Sequence, residues 1–244
     1  MNQWKVVGLL TLPVLLFGAW RIWSIYEERH APVMVKEQPA ERKITQDDTV
    51  FPRKLYIDDL KSAKALKGKT IWMQAGYALE YYPYDGHAAE LSHKLGLLPS
   101  VAALQVIDVE GQPTPPGWLG RIPRGATNFF VVFRKPGDAH TYAVPVGGVE
   151  QGQAKFYTDD LFYYDDPHQL YRYWPASVWQ AIDEHQVKPG MSELQARMSL
   201  GQIQQSGSSD YGNRTVVYTA GERKVAVTFA NDRATEIKED KPAA

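Results

Sequence analysis

The chain has no cysteine. That excludes disulfides, thiolate zinc sites and cysteine nucleophiles, and it excludes lipoprotein processing, which attaches lipid to a cysteine. It fits an oxidising compartment as well as a reducing one. Excess charge is also lacking. Lys plus Arg is 27 and Asp plus Glu is 28, so the net charge is −1. Such a balance leaves no electrostatic footprint for nucleic acid, and no nucleic-acid partner is expected. Motifs with mechanical content are missing as well. The six histidines contain no H-x-x-x-H or H-E-x-x-H, and there is no G-x-S-x-G, G-x-G-x-x-G or P-loop. The chain therefore reads as non-enzymatic, with no catalytic residues, no cofactor and no metal site.

What is present begins near the N-terminus. Val6 to Trp23 (VVGLLTLPVLLFGAWRIW) carries one charge, Arg21. At about 1.5 Å per helical residue it reaches about 27 Å, close to the ~30 Å hydrocarbon core of a bilayer. Trp4 lies at one end and Trp20, Trp23 and Tyr26 at the other, which suits the two lipid–water interfaces. Residues 1–26 are expected to be a transmembrane anchor that uses the lipid bilayer as a partner. A cleaved signal peptide and a buried helix are the alternatives. The bulky Trp20-Arg21-Ile22-Trp23 does not suit a small-residue cleavage site. Lys5 on one side, and Arg21, Arg29 and Lys36 on the other, do not orient the span.

Residues 27–50 are polar, with Pro32 and Pro39 and no apolar period, and read as a tether. The remaining chain, about 190 residues, is long enough for one or two domains with real cores. Residues 51–168 read as mainly β. Ile57 to Leu66 suits a short helix stopped by Gly68. Strands are expected over 70–75, 102–109, 129–134 and 141–146, with a fifth at 155–157 or 161–163. Lys135-Pro136-Gly137-Asp138 makes the turn of the one tight hairpin, and Pro145 suits an edge. Short strands with long early loops suggest, by analogy, a small SH3-like or plain antiparallel β domain.

Between the first two strands lies Tyr77 to Gly86, with Tyr81, Tyr82 and Tyr84 in a loop punctuated by Pro83 and Gly86. Flat rings give contact area at low entropic cost, so these three tyrosines are candidate ligand-binding residues for a peptide or sugar. The alternative is that they close one end of the sheet. The proline-rich loop Gln112 to Arg124, with Trp118, is placed to wall such a groove. Tyr157 to His168 holds four aspartates and a histidine. It lacks the D-x-[DN]-x-[DN]-G order of a calcium loop, and Asp166-Pro167 reads as a helix start.

The C-terminal pattern is clearer. Ala176 to Gln186 is a helix. Val187-Lys188-Pro189-Gly190 breaks it. Ser192 and Gln195 form a capping-box signature for a second helix, which stops at Gly201. Strands follow over 214–219, 225–229 and 234–238. Lys188-Pro189-Gly190-Met191-Ser192, the later Leu200-Gly201 and the strand–turn–strand ending at Phe229 resemble the SmpA/OmlA (BamE-like) family over residues 175–239. The resemblance implies an αα-βββ domain, an envelope context and a habit of binding protein partners. Family members are held by lipid on a cysteine, so this chain would rely on its peptide anchor.

These observations sum to an α+β, single-pass cell-membrane protein. Its later domains are expected to be periplasmic or extracellular, and it would act as a binding or scaffolding module in envelope assembly or maintenance. Binding of cell-wall glycan or peptide through Tyr81, Tyr82 and Tyr84 is the alternative. A hydrolase built on the Asp159–His168 segment is a further one.

Overall fold

The computed structural model describes residues 17–26, 44–115 and 126–240. Residues 17–26 form helix α1, and the chain from Ile44 onward forms one compact unit. Within this described stretch the helix carries one charged side chain, Arg21. Among the described residues no helix is long and apolar enough to cross a membrane. The expected transmembrane anchor is corrected on that finding. So are the bilayer partner, the single-pass localisation and the membrane-anchored envelope role that hung from it. Residues 6–16 of the expected span lie outside the described residues, as do residues 27–43 of the expected tether.

The unit from Ile44 is α+β. Its first part is a curled half-barrel sheet. The strands are β1 (Thr70–Met73), β2 (Glu80–Pro83), β3 (Gly96–Leu97), β4 (Ala103–Pro113), β5 (Thr127–Arg134), β6 (Tyr142–Glu150), β7 (Gln153–Phe156) and β8 (Phe162–Tyr163). They lie in the order β3-β2-β6-β5-β4-β1-β8, with β7 also on β6. The short helix α2 (Leu60–Ala63) is capped by Asp59, whose side chain accepts from the Ser62 amide, and it buries Ala63. β5 is buried from Asn128 to Phe133 because both of its faces are covered, which explains its unbroken apolar run. Phe129, Val131 and Phe133 enter the main core, and Phe130 enters a smaller one under Ala89 and Leu91. Register shifts at Val106/Asp108 and Phe129/Phe130 bend the long strands, as bulges do.

Pro145 lies inside β6 and not on an outer strand. Its own position is a local edge. β2 pairs with Tyr142 and Ala143, β7 pairs from Gly147 onward, and Pro145 falls between the two. A residue without an N–H is tolerated there because no partner asks for one.

The second part comprises α3 (Thr158–Leu161), α4 (Pro167–Leu170), α5 (Ala176–Asp183) and α6 (Glu193–Leu200), followed by β9 (Gln204–Ser206), β10 (Thr215–Ala220), β11 (Arg223–Ala230) and β12 (Arg233–Asp240). β9 to β12 form an antiparallel sheet in the order β12-β11-β10-β9. Its inner face is Val216, Tyr218, Val225, Val227 and Phe229, packed on Ala196 and Leu200 of α6. The period of two in β10 and β11 produces that face. Asn231 and Asp232 both have positive φ, 51° and 56°, which matches the twist of the β11–β12 hairpin.

A third core joins the two parts. Trp72, Val101 and Tyr163 of the half-barrel meet Trp174, Trp179, Ile182, Met191 and Met198. At the end of α6, Gly201 (φ 93°) lets the chain pass against Gly76. A Cβ at Gly201 would stand 2.5 Å from the Gly76 oxygen.

Candidate functional site

The three tyrosines picked from sequence do not share one face. Glu80 to Pro83 is a strand, so Tyr81 and Tyr82 point to opposite sides. Tyr82 is 1% exposed and belongs to the core with Phe130. Its hydroxyl donates to Glu80 Oε2 at 3.0 Å. Tyr84 packs beside that core and donates to Glu110 Oε2 at 2.7 Å. Burial, reinforced by Glu110, pushes its hydroxyl well above the usual range. Tyr81 faces the main core. Its ring meets Tyr142 edge-on at 5.6 Å, and the Lys135 ammonium lies 4.1 Å from its centroid and donates to its hydroxyl at 2.7 Å. The loop expected to wall a tyrosine platform lies outside the described residues over 116–125.

The acidic segment is spent on structure. Asp159 accepts from the Leu55 amide at 3.0 Å, the Tyr56 amide at 2.9 Å and the Tyr164 hydroxyl at 2.8 Å. Tyr56, at φ 51°, is a strained position held by that carboxylate. Asp165 pairs with Arg53 at 2.8 Å. His168 stacks on Trp179 at 4.1 Å between centroids. Its Nδ1 lies 3.0 Å from Asp166 and its Nε2 3.3 Å from Asp183. With both ring nitrogens against carboxylates, His168 has no nitrogen turned to a substrate. The shallow hollow beside it, about 590 Å³, also holds Arg172 and Glu184.

A different place has the character of a ligand site. A groove of about 550 Å³ runs between residues 45–47, the Tyr173–Val178 segment, the Lys188–Gln195 entry to α6 and the β11–β12 turn. Its size falls in the range of small-molecule pockets. One wall is set by Asp47 in the 3-10 turn Gln46–Thr49. Asp47 Oδ1 accepts from the Tyr173 hydroxyl at 2.6 Å and from Trp174 Nε1 at 2.8 Å. Burial first, and Asp47 second, raise the Tyr173 hydroxyl above the usual range. Residues 44–50, expected as the end of a tether, thus carry a tertiary anchor. Tyr171 stacks on Trp174 at 4.4 Å and backs this wall.

The opposite wall follows from local chemistry. Pro189 and Gly190 (φ 87°) turn the chain. The Gly190 amide donates to the Ala234 oxygen at 2.9 Å, and the Ala234 amide donates to the Met191 oxygen at 2.8 Å. The turn is thereby stitched to β12. Ser192 then caps α6. Its Oγ accepts from the Gln195 amide at 3.2 Å, and Gln195 Oε1 accepts from the Ser192 amide at 2.9 Å. Glu193, 2% exposed, binds the Gly212 amide at 2.8 Å and the Arg214 guanidinium, fixing the start of α6 to the entry of β10. Asp232 Oδ1 takes the Glu193 amide at 3.0 Å.

A hydrogen-bond inventory sets this groove apart. Its two carboxylates, Asp47 and Asp232, are engaged by protein N–H and O–H groups, whose dipoles offset their charge. Several donors are not engaged. Ser192 is 4% and Gln195 6% exposed, and both line the groove. The capping box uses the serine Oγ as acceptor and the glutamine Oε1 as acceptor, which leaves the serine O–H and the glutamine Nε2 as spare donors. Among the described residues, the only sealed side-chain polar atoms without a partner are Gln204 Oε1 and the Tyr218 hydroxyl. Gln195 Nε2 is therefore not a sealed, unpartnered atom, and Gln195 is one of the residues lining the groove. At the rim, Lys188 and Arg233 make no ion pair among the described residues. Arg233 donates to the Gly190 oxygen at 3.1 Å. Trp174, Val178 and Met191 supply an apolar lining.

Sequence reading used Lys188 to Gln195 only as a fold signature and took Asp47 for tether. The capping box itself held the missed signal, because it consumes one amide atom of Gln195 and leaves the other free. Comparison with protein-family models, curated proteins and solved structures finds no match for the chain.

Proposed function

We propose that this α+β protein is a non-enzymatic binding protein, and that the groove between Asp47 and Gln195 is its site for an organic anion. The observation that carries the reading is the donor surplus. Two polar side chains more than nine-tenths buried, Ser192 and Gln195, have donors left over by the capping box, and they line a groove with Asp47, Asp232 and the cations Lys188 and Arg233, which make no ion pair among the described residues. A ligand that supplies acceptors would engage these second hydrogen-bonding valences, which the capping box leaves unused. A binding role is further supported by the engagement of Asp159, Asp165 and His168 in structural contacts.

We also read residues 175–239 as an SmpA/OmlA-like module. The order of two short helices and a meander supports this, with Ser192 capping the second helix and Gly201 ending it.

The test is titration of the full chain with 8-anilinonaphthalene-1-sulfonate, an aromatic anion, followed by fluorescence. Lys188→Glu with Arg233→Glu should weaken binding at least tenfold at an unchanged melting temperature. Unaltered binding in this variant would refute the assignment.

A further inference from the structure

The C-terminal sheet ends on an uncovered strand. β12 is outermost in the order β12-β11-β10-β9, and among the described residues no strand pairs with its outer edge. That edge is closed at Ala234, whose amide donates to the Met191 oxygen and whose oxygen accepts from the Gly190 amide. Thr235 is then skipped in the pairing with β11, and Glu236 to Asp240 run on along it. The ladder fixes where each backbone group points. The Phe229 amide donates to the Arg214 oxygen, on the β10 side. Alternation along β11 turns Ala226 and Thr228 toward β12, where they pair with Lys238 and Glu236. The N–H and C=O groups of Ile237 and Glu239 are left facing outward, and such a row is a template for another strand.

Side chains decide which strand. Ile237 is half-buried and packs on the core beneath the sheet. Glu236 and Lys238 stand on the other face, exposed, with Lys238 Nζ 2.9 Å from Glu236 Oε1. A foreign strand laid along this edge must match both charges. A second copy of β12, run antiparallel about a twofold axis at Ile237, matches them by symmetry. Glu236 of each copy lies opposite Lys238 of the other, and Ile237 lies opposite Ile237. Unlike charges directly opposed favour a strand pair, and like charges oppose it. Neighbouring registers fail on that rule. An axis at Lys238 sets lysine against lysine and Glu236 against Asp240. An axis at Glu236 sets glutamate against glutamate and runs into the turn at Ala234.

We infer that β12 is a self-pairing edge, through which two copies of this chain join their C-terminal sheets into one continuous antiparallel sheet. Residues 235–239 of each copy form the seam. Alternating Glu236 and Lys238 side chains set its register, and the exposed part of Ile237 is covered by its counterpart. The same charges turn away strands that do not carry the matching pair. A contact of this symmetry closes on itself, so assembly stops at two copies. None of residues 235–239 lines the groove, and the dimer is independent of the anion site.

The experiment is sedimentation velocity of the full chain over a concentration series, with the dimer dissociation constant as the readout. The natural chain should show a reversible monomer–dimer equilibrium. Lys238→Glu and Glu236→Lys each set like charges against one another across the seam. Each should raise the dissociation constant at least about tenfold at an unchanged melting temperature, since both side chains are exposed. The two variants are then mixed, each carrying a different fluorophore. Lysines of one copy now face glutamates of the other at both positions, and a dimer containing both colours should return. A chain that stays monomeric overturns the inference. So does association that neither substitution weakens, and so does a mixture that fails to recover.

Discussion

Arg214→Met is the most informative perturbation of this fold. Glu193 is 2% exposed, and its carboxylate has two classes of partner. Oε2 accepts from the Gly212 amide at 2.8 Å, and the Arg214 guanidinium reaches both oxygens, with Nε at 3.1 and 3.3 Å and Nη2 at 2.5 Å. The hydrogen bond to Glu193 in turn raises the Arg214 pKa above its already high ordinary value. Methionine keeps much of the arginine stem and removes only the charged head. What remains is a carboxylate sealed from water with one amide for company. Breaking a buried pair on one side costs about 3–5 kcal/mol, whereas removing both partners is far cheaper. In the double variant Glu193→Leu with Arg214→Met, the uncompensated charge is gone. The Gly212 amide then goes unbonded, at about 1–3 kcal/mol. Urea unfolding followed by tryptophan fluorescence measures both. With a slope of about 2 kcal/mol per molar urea, the single variant should lose about 1.5–2.5 M in midpoint, and the double should recover part of that. A loss below about 1 kcal/mol at unchanged slope refutes the reasoning, as does a double variant no more stable than the single.

Tyr82→Ala should destabilise the protein by about 3–5 kcal/mol, as expected for a large ring lost from a core, and denaturant titration reads it. A Tyr82→Ala protein of normal stability would show that the ring is not core. Gly201→Ala places a side chain at φ 93° against the Gly76 oxygen, and thermal unfolding should show a loss of about 1–3 kcal/mol. For Asp159, burial raises the carboxyl pKa, but the Leu55 amide, the Tyr164 hydroxyl and the Tyr56 amide outweigh burial and hold it below the ordinary value. Its folded pKa is thus the lower one. The stabilisation is complete above the unfolded value near about 4 and is lost as pH falls through the folded value. Hydrogen exchange at the Leu55 and Tyr56 amides should accordingly stay slow from pH 7 to about pH 5 and quicken only in more acid solution. Early loss between pH 7 and 5 would contradict the assignment.

Local chemistry decided much of this molecule. The Ser192–Gln195 cap, the Pro189-Gly190 break, the stop at Gly201 and the alternation of Val225, Val227 and Phe229 act within a few residues of themselves, so they are legible from the chain. The unbroken run Phe129 to Phe133 is legible for the same reason. Other features depend on partners distant in sequence. Tyr82 reads as a loop residue until β2 is paired to β6 and its ring is set against Phe130. Pro145 reads as an outer-edge residue until β2 and β7 are seen to divide one flank of β6 between them. Val6 to Trp23 reads as a span because apolar length alone suggests one. Among the described residues, no helix is long and apolar enough to cross a membrane.

The groove illustrates the division most directly. By itself, the sequence determined that Ser192 and Gln195 would cap a helix, and therefore that each would have a donor left over. Only the tertiary structure decided that these two residues line a groove. Asp47, Trp174 and Arg233 come from positions well apart in the chain, and they are brought to α6 by the core shared between the half-barrel and the helices. Hydrogen-bond valence is a property of residue type and spacing, whereas the space into which a spare donor points is created by packing.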